Sequence, residues 1–159
     1  MSTTNNPDDP RLKNIGADGM QETYLVLSEH ERAKGFVRRL RRSYIHVGRP
    51  GPCYELRDLT PEERERYADI DYVKYEAYPA VREPGAGSTV GRLWTQGQLD
   101  AVDKGCGAET TMGLAIAETY ARNPGFYGGT FCVSCGAHFP VGKDGEFVWA
   151  DAPTERVGT

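Results

Sequence analysis

Cys132-Val133-Ser134-Cys135-Gly136-Ala137-His138 places two thiols three positions apart, a glycine directly after the second, and an imidazole three positions further on. Thiols at this spacing can turn both sulfurs toward one point. A glycine after the second lets the chain bend tightly, with backbone amides aimed at the sulfurs. A third thiol, Cys106, stands upstream between two glycines. Three sulfurs and one nitrogen make a tetrahedral Cys3His shell, the kind of ligand set that zinc takes in structural sites. The expected ligands are Cys106, Cys132, Cys135 and His138, the last being the imidazole nearest to the thiol pair. Cys53 competes for the fourth place, although it also reads as a buried thiol at a loop-to-strand junction. His46 and His30 belong to the same pool, and each reads as a surface or core histidine.

Other chemistry fits this motif less well. A dithiol redox site asks for a βαβ pattern around the cysteines, and none surrounds Cys132. Nucleobase deaminases need His-x-Glu ahead of Pro-Cys-x-x-Cys, but residue 131 is Phe and no His-x-Glu precedes it. A hydrolytic zinc would need an open coordination position beside a carboxylate such as Glu109, Asp144 or Glu146. Four protein ligands within reach favour a structural zinc as the cofactor.

A second cluster of interest is basic. Arg32, Lys34, Arg38, Arg39, Arg41, Arg42 and Arg49 fall close together, with Phe36 and Tyr44 interleaved. Arginine forks near aromatic rings can grip phosphate and stack on bases, or meet an acidic protein. Arg38, Arg39, Arg41, Arg42 and Tyr44 are therefore the expected contact residues for a protein or nucleic-acid partner. Tyr72, Tyr75 and Tyr78 extend the expected surface, tyrosine and arginine being enriched at binding hot spots.

The elements that must position these groups are short. Thr23 to Leu27 and Ser43 to Val47 read as strands, and Ser28-Glu29-His30-Glu31 as a capped helix start closed by Gly35. Thr60-Pro61-Glu62-Glu63 opens a helix running to about Asp69, and Thr95-Gln96-Gly97-Gln98 opens another. Asp71 to Tyr78 reads as a strand or extended arm, and residues 79–91, rich in proline and glycine, as a flexible loop. The best helix covers about Thr111 to Arg122. It carries Met112, Ala115, Ile116 and Tyr120 on one face and a Glu118–Arg122 pair at the favourable spacing of four. Phe126 to Phe131 runs extended into the thiol pair, and Glu146 to Trp149 is a closing strand.

Bulk composition sets the outer limits. Of 159 residues, 38% are apolar and 26% charged, so the core is lean and a bound ion would add much to it. A net charge of −4 argues against a polybasic nucleic-acid binder. No stretch approaches the ~18 apolar residues of a membrane-spanning helix. The polar N-terminus lacks a signal-peptide core, which points to the cytoplasm, where thiols stay reduced.

Thr110-Thr111-Met112, Ala117-Glu118-Thr119-Tyr120-Ala121-Arg122-Asn123-Pro124, Phe126-Tyr127-Gly128 and Thr130-Phe131-Cys132-x-x-Cys135-x-x-His138-x-Pro140-Val141 together resemble small proteins encoded by tailed bacteriophages and prophages. Arg42-Ser43-Tyr44-x-His46-Val47 and Leu56-Arg57-Asp58-Leu59-Thr60 are similar to the same group. The resemblance covers most of 24–159 and is densest from Cys106 onward. It implies a host-cytoplasmic setting and a shared ligand pattern of Cys106, Cys132, Cys135 and His138, with Cys53 outside it. It implies no activity.

These readings combine into an α+β protein: a disordered tail over 1–20, then one zinc-stabilised domain over 21–159 with a zinc-knuckle or ribbon-like C-terminal half. Its expected function is that of a phage accessory protein that binds a host or viral macromolecule and is not an enzyme. A nucleic-acid-binding zinc ribbon and a metal-dependent hydrolase are the rivals.

Overall fold

The computed structural model describes residues 2–79 and 91–159. Nearly all of the expected loop over 79–91 lies outside these described residues. In chain order the elements are β1 (Ser2–Thr4), a 3-10 turn (Pro10–Lys13), β2 (Thr23–Leu25), α1 (Glu29–Ala33), β3 (Ser43–His46), β4 (Leu56–Asp58), α2 (Pro61–Arg66), β5 (Tyr72–Glu76), β6 (Arg92–Thr95) and α3 (Gln96–Asp100). Then follow β7 (Glu109–Thr111), α4 (Leu114–Arg122), β8 (Gly129–Cys132), β9 (Ala137–Pro140), β10 (Phe147–Trp149) and β11 (Ala152–Arg156). The class is α+β, as expected.

The chain divides into two compact units, one formed by Met1–Arg49 with Gly105–Thr159 and the other by Pro50–Lys104. The range 21–159, expected as a single domain, thus contains a compact segment inserted between β3 and β7. The insertion has a centre of its own, a short antiparallel sheet in the order β4-β5-β6. Glu76 on β5 is 2% exposed. It accepts the backbone amides of Cys53 and Tyr54 at 2.6 and 2.9 Å and the Trp94 indole N–H at 3.0 Å. A buried carboxylate is tolerated when donors surround it in this way. Thr60 with Glu63 and Thr95 with Gln98 form the reciprocal caps that their spacing predicts.

The first unit is built on an antiparallel sheet in the order β11-β10-β3-β7, with a β8–β9 hairpin and a parallel β1–β2 pair beside it. The segment expected to be a disordered tail is therefore structured from Ser2 onward. It pairs Ser2 with Thr23 and Thr4 with Leu25, and it buries Leu12, an anchor that its polar composition hides. Aromatic rings fill the core. Tyr44 meets Phe147 edge-on at 5.2 Å, and Tyr120 meets Trp149 edge-on at 6.1 Å.

Helix α4 starts at Leu114, because Thr111 belongs to β7 and Gly113 takes the cap position. Its deepest positions are Ala117, Thr119, Tyr120 and Ala121; of the expected face, Tyr120 is buried while Ala115 and Ile116 are only half-buried. Glu118 does not pair with Arg122. It is buried and takes the Arg32 guanidinium from α1 instead, with Nε to Oε2 at 2.6 Å. No helix among the described residues is long and apolar enough to cross a membrane.

Candidate metal centre

Four ligand atoms, from His46, Cys106, Cys132 and Cys135, lie within 4.8 Å of one another. This cluster can hold a metal ion. Three of the four residues are those expected from the sequence, and the fourth is His46 in place of His138. The expected ligand His138 lies on β9, one position beyond the register partner of Cys132. Side chains alternate along a strand, so its ring takes the opposite face from Ala137 and hydrogen-bonds through Nδ1 to the Gly19 carbonyl at 2.5 Å. The alternative ligand Cys53 lies in the other unit, and its thiol is outside the cluster.

Each ligand is set in place by its own segment. Cys132 closes β8, and the Gly136 amide donates to the Cys132 carbonyl at 2.9 Å, which turns the chain so that Cys135 follows on the same side. Gly136 has φ +66°, a conformation that costs a side chain strain and glycine nothing. The hairpin is tied to the sheet independently of any ion. The Tyr44 hydroxyl donates to the Phe131 carbonyl at 2.5 Å, and the Val133 amide donates to the Thr110 hydroxyl at 3.1 Å.

Cys106 arrives where the chain re-enters from the insertion. A Cβ at Gly105 would lie 2.1 Å from the His46 carbonyl oxygen, so only glycine lets the returning backbone pass this close to β3. The Gly107 amide then donates to that carbonyl at 2.8 Å. Cys106 Sγ ends 3.4 Å from Cys132 Sγ, and Cys135 Sγ ends 3.6 Å from His46 Nδ1.

His46 ends β3 and is 3% exposed. Its ring stacks on Phe139 at 4.4 Å, and its Nε2 donates to Glu146 Oε1 at 2.8 Å. A carboxylate only accepts, so Nε2 carries the hydrogen and Nδ1 offers a lone pair to the three sulfurs. The Cys106 amide, 3.4 Å from Nδ1, agrees with that tautomer.

The electrostatics favour a cation. The Ala108 backbone N–H, and then contacts with His46 and the other two thiols, pull the Cys106 thiol down to about 6. Loss of water, with Cys106 and Cys132 close by, pushes the Cys135 thiol up to about 11. Without an ion, Cys106 thus gives up its proton readily while Cys135 holds its own. A divalent ion reverses this, because coordination deprotonates thiols outright. Cys132 is fully buried, while Cys106 and Cys135 are exposed, so the centre is open at one edge.

The expected contact arginines are largely engaged within the fold. Arg39 pairs with Asp151 at 2.9 Å and Arg41 with Glu155 at 2.5 Å, while Arg42 donates to the Met112 carbonyl at 3.0 Å. Arg38 donates to the carbonyls of Val37 and Thr159. Arg41 also lies over the Trp149 ring at 4.6 Å. Tyr44 is a core residue at 2% exposure and offers no surface. In the other unit Tyr72, Tyr75 and Tyr78 are half-buried, with Arg57 over the Tyr75 ring at 4.1 Å.

Sequence reasoning passed over His46 and Glu146 as a pair. The one signal available was that both sit in segments of strand character, and nothing local says that those strands meet. Comparison with protein-family models, with curated proteins and with solved structures finds no match to this chain.

Proposed function

We propose that the cluster holds a structural zinc ion and that the protein acts by binding a macromolecule rather than by catalysis. The observation that carries this reading is the closed ligand set of three sulfurs and one imidazole nitrogen within 4.8 Å. With zinc–sulfur bonds of about 2.3 Å and a zinc–nitrogen bond of about 2.0 Å, a tetrahedron has edges of about 3.8 Å between sulfurs and about 3.5 Å from sulfur to nitrogen. The separations of 3.4 and 3.6 Å are close to those edges. Thiolate with imidazole in a compact tetrahedral set suits zinc better than the harder divalent ions.

The four ligands come from three separate segments, so the ion joins the end of β3, the segment re-entering from the insertion, and the β8–β9 hairpin. Such a clasp stabilises a lean core. Because the protein supplies all four ligands, no position is left for a reacting water, and the carboxylate of Glu146 is committed to His46. These points support a structural over a hydrolytic ion. The nucleic-acid reading draws less support, since the arginines expected to carry it have partners in their own unit. The phage accessory role, in a host cytoplasm, is proposed on the resemblance of the motifs alone.

Metal analysis of purified protein should find one zinc per chain. Affinity capture from bacterial lysate, with the zinc-loaded protein and with a His46→Ala control, should retain a partner only on the loaded form. Protein that purifies without metal and takes up none would end the zinc reading. Specific hydrolysis by the loaded form would end the non-catalytic one.

A further inference from the structure

His138, which plays no part in the metal cluster, has a different setting. Its Nδ1 meets the Gly19 carbonyl, which can only accept, so Nδ1 carries the hydrogen and Nε2 of the neutral ring holds a lone pair. Among the described residues no partner takes that lone pair. The ring lines a cavity of about 230 Å³ in the first unit, walled by Tyr24, Tyr44, Tyr120, Tyr127 and Phe131. An adjoining hollow of about 750 Å³ shares His138, Gln21, Tyr127 and Gly129 with it.

Several of the wall's polar groups are satisfied within the protein. The Tyr44 hydroxyl donates to the Phe131 carbonyl, Thr130 donates to Tyr44, and the Tyr127 hydroxyl accepts the Leu25 amide at 3.1 Å. They ask nothing of a ligand, and they hold the walls in place before one arrives. An apolar cavity of about 150 Å³ is enough to take up benzene, so this one has room for one or two fused rings. Aromatic walls favour a ring through edge and face contacts. A charged occupant would lose its hydration with no counter-charge on these walls, so a neutral one is preferred.

We propose that this cavity is a binding site for a small neutral aromatic molecule of one or two fused rings, carrying an N–H or O–H group that donates to His138 Nε2. The site is separate from the metal centre and needs no particular metal there.

Indole is a suitable probe, with N-methylindole as the same ring without its donor. Calorimetric titration of the intact metal-loaded protein should show saturable, one-to-one indole binding, with N-methylindole weaker by roughly fivefold or more. Ile116→Phe, which fills the cavity from α4, should lose both ligands while keeping its metal content and melting cooperatively. His138→Phe should bind the two ligands equally. Should that variant fold poorly, the comparison of the two probes on the unaltered protein still decides. Absence of saturable indole binding, equal affinity of the unaltered protein for both probes, or undiminished binding by folded Ile116→Phe would each overturn the proposal.

Discussion

The His46 ring divides its two nitrogens between Glu146 and the thiol cluster, with Nε2 held 2.8 Å from Glu146 Oε1 and Nδ1 turned to Cys135. Strand pairing sets this arrangement. Phe147, the residue after Glu146, lies opposite His46 in the antiparallel β3–β10 ladder. The Val47 amide also donates to the Glu146 carbonyl at 2.9 Å, which anchors the carboxylate's backbone beside the ring. A carboxylate behind a ligating imidazole fixes its orientation and raises its basicity.

Glu146→Gln should therefore weaken metal binding by about 10- to 100-fold while leaving the fold intact. Competition against a chromophoric chelator measures this directly. Unchanged affinity would show that the pair only packs and does not tune the ligand.

His46→Ala should abolish metal binding, whereas His138→Ala and Cys53→Ser should each retain one ion per chain. Metal analysis after gel filtration distinguishes them. Retention by His46→Ala together with loss in His138→Ala would return His138 to the shell.

Metal should also protect particular thiols. Cys106 and Cys135 are exposed, so an alkylating reagent reaches them in the metal-free protein and is blocked when they are ligated. Cys53 is exposed in the other unit and should react in both forms. Mass spectrometry of the labelled peptides reads the pattern. The melting temperature should climb with free zinc concentration, as expected for an ion that binds the native chain in preference to the unfolded one.

Alkali should unfold the first unit. Burial pushes the Tyr44 phenol up to about 12, and pushes Tyr120 higher still. Unfolded tyrosines lose their protons near pH 10, so above that value the native state holds more protons than the unfolded one. Stability is then unaffected by these groups below about pH 10 and falls as pH rises beyond it. A titration followed by tyrosinate absorbance should show these phenols ionising only in step with the loss of circular dichroism. Smooth ionisation at the ordinary value would contradict their burial.

Arg32→Ala should cost about 1–2 kcal/mol, because Glu118 is left buried without its partner and the half-exposed arginine is partly screened. Arg122→Ala should cost less than about 0.5 kcal/mol, its nearest carboxylate being that of exposed Glu31 at 3.8 Å. Denaturant titration of both variants tests the order. The reverse order would mean that helix α4 is supported from within, as its spacing of four suggests.

Local features were the legible ones. Ser28, Thr60 and Thr95 cap helices where their spacing predicts, since a cap is decided within four residues. The Thr23, Ser43 and Phe147 strands are read correctly for the same reason, alternation and β-branching being properties of a short window. β1, β4, β6, β7, β9 and β11 are not legible in a short window; β9 carries a proline at its end and β11 a proline and charged residues, and both are recruited by neighbours they pair with.

The chain's own order of residues determined that Cys132 and Cys135 would form a knuckle, because two thiols, a tight turn and a glycine act over five positions. It also made Cys106 the natural third ligand. Which imidazole would join them, and which carboxylate would stand behind it, was decided only in three dimensions. His138 is near in sequence but turns to Gly19 on the alternating face of β9, while His46 is brought in by a sheet that pairs β3 with both β7 and β10. The same distinction separates Glu118 from Arg122: helical spacing allows that pair, but the packing of α1 supplies Arg32 first. Ligand choice depends on where backbones meet, and long-range pairing leaves no mark in the spacing of the residues it joins.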